Sequence, residues 1–309
     1  QSRWVGVAPD GTLPYQTRPQ GDRIMHFSSA GYMGGGVSFP DVPVKKTVSP
    51  PAGDADATGI IQSAIDAVAV MPMENGFRGA VMLEPGVYHC DNEIQIHTSG
   101  IVLRGSGSSG EKASVIRMGG NRRHSAININ SEITRSAARG GVGYMDSCSV
   151  RTTVTDAYVP SGAINFNVAA VEGFTVGDII QVRRPTTKEW VHFMEMDNMT
   201  RYGKPQTWIS LDRQSVHIRR INAISGTAFT LDAPLSDSYD AAYLGENAVE
   251  IVRVAASEPV IPLSQVGVCH LRILCPPLET SYGNAPYSGI RIGGQDCWVD
   301  NVWCVETMN

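Results

Sequence analysis

Apolar positions along this chain change their spacing several times. Over 57–71 they recur at helical intervals, with Ile60, Ile61, Ala64, Ile65, Val68 and Ala69 on one face. Asp56 or Thr58 supplies a cap and Pro72 a stop, so the stretch predicts one amphipathic helix. Past it the pattern shortens. Ala80-Val-Met-Leu-Glu-Pro-Gly-Val-Tyr88 reads as a strand, a turn and a second strand start. Glu93–His97, Ile101–Gly105, Val115–Met118 and Ala126–Ile129 follow as short runs broken by glycine. Brief strands at roughly ten-residue spacing are the mark of a solenoid, sandwich or barrel.

Residues 130–155 are polar and without period. The texture then changes. Ala163–Val168 alternates, Gly177–Arg183 reads as a turn and strand, and His217–Ile221 with Ala228–Leu231 reads as a hairpin around Gly226. This predicts a small antiparallel module over 131–248. Short apolar strands return at Val249–Val254, Val266–Leu274, Ser288–Ile292 and Cys297–Val305. Ahead of all this, the glycine-rich run Phe27–Gly36 excludes a helix on backbone entropy. Residues 1–52 are therefore expected as ordered coil packed on the solenoid.

Composition is that of a folded protein, 42% hydrophobic and 18% charged, with 32 glycines and 18 prolines feeding turns. A net charge of −5 without a basic run argues against a nucleic-acid partner, and no apolar stretch is long enough to span a membrane. The chain begins at Gln1, which suggests a removed leader and a secreted, extracellular or periplasmic protein. In that setting Cys90, Cys148, Cys269, Cys275, Cys297 and Cys304 are either disulfide partners or buried thiols, and Asn198-Met-Thr200 is a glycosylation sequon.

Gly53-Asp-Ala-Asp-Ala-Thr58, the helix with Ile61-Gln62, and Gly79-Ala-Val-Met-Leu-Glu-Pro-Gly-Val-Tyr88 resemble the opening of pectate-lyase-like β-helix proteins. Ile101–Gly107, Gly267–Ile273 and Cys297–Val302 resemble further rungs. The resemblance covers about 53–120 and 249–309. It implies an all-β chain: a right-handed parallel β-helix with an N-terminal capping helix and first rungs over 53–130, the inserted antiparallel module, and further rungs over 249–309. A solenoid needs a cap on its far end, so a C-terminal continuation chain or fragment completing the coil is expected. The superfamily holds lyases, glycoside hydrolases and non-enzymatic surface proteins, so the fold does not select among them.

A solenoid presents a long shallow face suited to an extended polysaccharide. β-Elimination on a uronic acid needs its carboxylate neutralised, a base for the C5 proton and an acid for the leaving oxygen. Hydrolysis needs two carboxylates at a set separation. The densest chemistry lies in Arg183-Arg-Pro-Thr-Thr-Lys-Glu-Trp-Val-His-Phe193, read as a loop after a strand. Lys188 and Arg219 are the candidates for charge neutralisation, and His192 or His217 for proton transfer. Trp190 and Trp208 are candidates for stacking, with Arg183 and Arg184 as further binding residues. The plainer reading is a solvated hairpin anchored by Trp190. His217 and Arg219 share one strand face by alternation, which gives either a display surface or a wetted one. Asp296 and Asp300 are either hydrolytic acids, calcium ligands or simple outward carboxylates; calcium is the one cofactor under consideration. His124 is either a rung-corner residue or a loop residue, and His270 and Arg272 point outward from a rung. A lyase on an acidic glycan is the leading expectation, ahead of a hydrolase and a glycan-binding surface protein.

Overall fold

The computed structural model describes residues 2–120, 123–130, 150–254, 263–277 and 287–307. The expected aperiodic stretch is outside them over 131–149, as are Arg122 and Cys148. Strands dominate, and the predicted helix forms as α1, Thr58–Ala69. The chain divides into two units, one of residues 31–143 with 259–309 and the other of residues 1–30 with 144–258. The lead-in, expected as a single piece over 1–52, is therefore shared between both units. The antiparallel unit takes in residues 144–258 where 131–248 were expected, together with residues 1–30.

In the first unit the strands are β1 (Val44–Val48), β2 (Gly79–Leu83), β3 (Gly86–Cys90), β4 (Ile94–Ile96), β5 (Ile101–Gly105), β6 (Ser114–Met118), β7 (His124–Asn130), β18 (Gly267–Leu274), β19 (Tyr287–Gly293) and β20 (Trp298–Val305). All pairings among them are parallel. They form three ladders: β1-β2-β5 continuing into the start of β18, β3-β6 continuing into its end, and β4-β7-β19. β20 runs beside β18 along both halves. Successive passes of the chain thus add one strand to each ladder, and Ile, Leu and Val at alternate positions meet in a shared interior. That interior holds Ile65, Leu83, Ile94, Leu103, Ile116, Ile127 and Leu271, all essentially without solvent contact.

Between the first and second ladders the earlier passes use separate strands, whereas β18 and β20 turn the corner within one strand. His270 (φ 55°) and Asn301 (φ 47°) make those turns, and the Asn301 amide donates to His270 Nδ1 at 2.9 Å. Asn and His are among the side chains that tolerate this left-handed backbone. His270 is thus a corner residue rather than part of a straight rung. Gly105 lies against this corner: a Cβ there would sit 2.3 Å from the His270 carbonyl oxygen.

Exposed parallel edges attract foreign strands unless covered, and this unit covers its leading edges in three ways. β1 pairs with β2. Ala57 N donates to His89 O on β3. The Gln62 side chain, projecting from α1, accepts from Gln95 N at 2.9 Å and donates to Gln95 O at 3.0 Å on β4. Asp56 Oδ1 meanwhile takes the Thr58 amide at 2.9 Å, which fixes the entry to α1. The stretch after Gly31 packs on the outer face of the first ladder. There Tyr32, Phe39 and Phe77 ring Trp298, the Phe39 ring stacked at 6.0 Å and the Tyr32 ring edge-on at 5.0 Å.

The second unit is antiparallel. Its strands are β8 (Arg151–Thr153), β9 (Tyr158–Val159), β10 (Asn165–Asn167), β11 (Ile179–Pro185), β12 (Thr200–Arg201), β13 (Lys204–Pro205), β14 (Gln214–Ser225), β15 (Ala228–Leu231), β16 (Tyr239–Asp240) and β17 (Glu250–Arg253). The main sheet has the order β10-β15-β14-β11-β17-β8. The predicted hairpin is β14–β15, and Ile180, Val182, Ile221, Phe229 and Ile251 build a separate core beneath it.

The cysteines correct one expectation. Cys90, Cys269, Cys275, Cys297 and Cys304 are all free thiols. Cys90 and Cys275 serve as small apolar core residues; Cys275 Sγ lies 3.3 Å from Met118 Sδ, and burial pushes the Cys90 thiol up to about 12.

Candidate functional site

The segment expected as a chemically loaded loop is ordered otherwise. Arg183 and Arg184 end β11, and residues Lys188–Phe193 form a short helix, α2. Thr187 caps it by accepting from Trp190 N at 3.1 Å. Lys188 and His192, four residues apart, share the exposed side. His192 Nδ1 is 2.7 Å from Asp197 Oδ2, and this bond holds the Asp197 carboxyl below its usual range. Trp208 is 70% exposed, and Asn198 is also on the surface.

His217 and Arg219 do lie on one face of β14, and the register places Val182 and Ile180 of β11 opposite them. That face is turned toward the core, not outward for display, because Ile221 continues it and is fully buried. Residues 233–239 lie against it. Arg219 donates Nε to Ala233 O, one terminal nitrogen to Pro234 O and the other to Ile218 O. Its guanidinium is thereby committed to holding that segment. Arg184 is buried, pairs with Asp237 Oδ2 at 2.8 Å and lies 4.0 Å over the Trp190 ring. Trp190 is thus stacked by an arginine on one face. Arg183 is 3.6 Å from Glu250, which also pairs with Arg151 at 2.9 Å.

The structure therefore brings together Arg184, Trp190, His217 and Arg219, and leaves Lys188, His192 and Trp208 outside on the surface. Sequence reasoning missed the partners that the 233–239 segment contributes. His217 Nδ1 lies 2.9 Å from the Tyr239 hydroxyl, and Nε2 lies 2.7 Å from Ser236 Oγ. Burial first, and then the charge of Arg219, hold His217 below its ordinary value of 6.5, with Asp237 opposing them. The unfolded chain then binds a proton before the folded one does. The contribution of His217 to stability is accordingly complete above about pH 6.5 and falls as the pH drops toward the folded value. The wild type is expected to lose denaturation midpoint relative to His217→Gln over this window; parallel pH profiles would show that His217 does not titrate differently on folding.

Ser236 also opens onto a cleft of about 680 Å³ in the same unit. Trp4, Arg18, Asp22, Arg23, Tyr158 and Ser238 share its lining. Tyr158 donates to Asp22 Oδ2 at 2.7 Å, and burial together with that carboxylate raises its phenol. Arg18 and Arg3 lie 5.7 and 5.8 Å from the Trp4 ring centre. Nothing in the spacing of residues 1–30 ties them to Tyr158 or Ser236, so only the tertiary fold reveals this wall.

The first unit has a smaller cleft of about 360 Å³, lined by Asp41, Arg104, Cys269, His270, Trp298 and Asp300 among others. Arg104 and Asp41 pair there at 3.0 Å. Asp296 instead accepts from Met33 N at 3.2 Å. His124 is half-buried, its ring nitrogens against Gly119 O and Ser125 O. Arg272 lies outward over the Trp303 ring at 4.2 Å. Among the described residues no group of three or more His, Cys, Asp or Glu side chains is placed to hold a metal ion, and no helix is long and apolar enough to cross a membrane.

No family model and no curated protein matches the chain. Phage tailspikes are among the solved structures it is similar to. The tailspike gp49 from Pseudomonas phage LKA1 is 15% identical, with 70% of this chain and 26% of that one covered at a TM-score of 0.31. The Pseudomonas phage phi297 tailspike gp61 is 13% identical, with 80% and 31% covered at 0.33. The gp54 tailspike of Acinetobacter baumannii bacteriophage AP22, solved with an A. baumannii capsular saccharide, is 10% identical, with 81% and 34% covered at 0.35. The chain spans about a quarter to a third of the length of these tailspikes.

Proposed function

We propose that this is a secreted, carbohydrate-active protein whose three-ladder unit belongs to a right-handed parallel β-helix, and that it cleaves an acidic polysaccharide by β-elimination. The observation that carries the reading is the lining of the larger cleft. It combines two guanidinium groups, Arg18 and Arg23, with one indole and several hydroxyls. Guanidinium forks suit uronate carboxylates, and an indole face suits the apolar side of a sugar ring. Among the described residues that line the cleft Asp22 is the one carboxylate, whereas hydrolysis requires a pair, and this favours elimination. Tyr158, whose hydroxyl donates to Asp22 Oδ2 at 2.7 Å at the cleft wall, carries the proton that the leaving oxygen needs.

The test is a panel of acidic and neutral polysaccharides, followed by ultraviolet absorbance of unsaturated ends and by reducing ends together. Absorbance on uronate-containing substrates is expected. Arg18→Gln is expected to lower kcat/KM by about 10- to 100-fold, the range of a lost charge-assisted hydrogen bond. Reducing ends without absorbance would establish a hydrolase instead, and no product from any polymer would leave a glycan-binding role.

A further inference from the structure

We propose that Ser236 and His217 form a second reactive centre, a serine acyl-transfer site that removes acyl esters from the glycan held in the larger cleft. The substrate class rests on the glycan reading above; the reactive pair rests on geometry alone. Ser236 Oγ and His217 Nε2 are 2.7 Å apart, within the reach a nucleophile and its base require. The base is in turn oriented by a third group, Tyr239, through Nδ1 at 2.9 Å. With Nδ1–H donating to the Tyr239 oxygen, the Nε2 lone pair faces the serine hydroxyl. Tyr239 is 2% exposed, and burial raises its phenol far above the working range, so it serves as a neutral acceptor.

The setting fits both halves of the task. His217 is half-buried and fixed by the β11–β14 pairing, while Ser236 is exposed and lines the cleft. The charged groups facing the imidazole are Arg219 on its own strand, Arg184 on β11, and Asp237 on the covering segment. Burial first, and then the two arginines, favour the neutral resting ring, and Asp237 favours the imidazolium that forms during the reaction. The other serines of the cleft lack such a partner: Ser161 Oγ contacts Arg23 O at 3.4 Å, and Ser238 bonds to Tyr158.

The step balances without a redox partner. Ser236 Oγ bonds to the acyl carbon as its proton moves to Nε2. The ester C–O bond then breaks, and the sugar oxygen leaves with the proton from Nε2. Water, deprotonated by the same nitrogen, attacks the acyl-serine and releases a carboxylic acid and free Ser236. The net reaction is ester plus water to alcohol plus acid.

The experiment uses the full chain with a fluorophosphonate probe and p-nitrophenyl acetate, neither of which needs a glycan. Expected are probe attachment at Ser236 and ester turnover that rises as His217 loses its proton and then levels. Ser236→Ala, at an exposed position, is expected to keep the native circular dichroism spectrum while abolishing labelling. His217→Gln should slow turnover by about 10²- to 10⁴-fold, the contribution of a positioned general base. Tyr239→Phe is expected to reduce turnover less. Absence of labelling on folded wild type, or labelling unchanged in Ser236→Ala, would overturn the proposal. If small esters are cleaved but no acylated glycan is, the reactive pair stands and its assignment to glycan esters fails, while the polysaccharide panel judges the glycan reading separately.

Discussion

Replacing Asp237 with alanine is expected to destabilise the antiparallel unit by about 2–4 kcal/mol, because it strands a buried guanidinium. Arg184 has a side chain only 5% exposed, and its Nε donates to Asp237 at 2.8 Å. Its guanidinium also donates to Pro185 O, over a longer 3.4 Å. Asp237 is 31% exposed, so solvent weakens the pair and brings the loss below the roughly 3–5 kcal/mol of a fully buried one. Asp237→Asn retains an acceptor oxygen and should lose less. Replacing Arg184 and Asp237 together with leucine should recover much of the loss, since no charge is then left in the core. Denaturant unfolding of the full chain, followed through Trp190 beside Arg184, reads all three. An unchanged midpoint in Asp237→Ala would show that the pair contributes nothing net to burying Arg184.

In the ladder unit the largest expected loss comes from Leu271→Ala, about 3–5 kcal/mol, combining lost transfer energy with a cavity that rigid ladders cannot close. Leu271 is fully buried and follows directly on the His270 corner, with Gly105 against both. Strands on either side are pinned by their own backbone pairing, so the walls relax little. The adjacent Arg272→Ala removes an outward side chain stacked on Trp303 and should cost about 1 kcal/mol or less. Unfolding midpoints of both variants check the contrast. Equal losses would mean that the interior of the ladder unit packs no more tightly than its surface.

Much of this fold was legible from spacing alone. α1 lies where the helical period runs, and β2, β5 and β15 lie within a residue of the alternating runs, while β14 extends the expected His217–Ile221 by three residues before it and four after. Periodicity reports which face of a strand is apolar, and it does so wherever both neighbours are local or repeat. The site was less legible for a physical reason. Alternation correctly placed His217 and Arg219 on one face, but it does not say whether a polar pair faces water or sits under a covering segment. Here Arg219 holds Ala233 and Pro234, and His217 meets Tyr239 and Ser236. Lys188, His192 and Trp190 drew attention by density of chemistry within one segment. The structure folds that segment as a helix and separates its exposed residues from Trp190, which stacks on Arg184. Trp4, Arg18 and Asp22 carry no signal in the sequence, because contact across such a distance leaves no local pattern.

The pairing of β8 with β17 bears on how the ladders can be assembled in time. β18 must find β5 and β6 after the chain has passed through the whole antiparallel unit. Closing a flexible loop grows costlier with length, by about 0.6 kcal/mol for each doubling. Thr153 lies opposite Glu250, and Arg151 opposite Val252, so once this unit has formed, its entry and exit strands are neighbours. The long excursion then counts kinetically as a short one, and the search for β5 and β6 begins from a tethered end. Pairing of β8 with β17 thereby shortens the effective loop that must close when β18 joins β5 and β6.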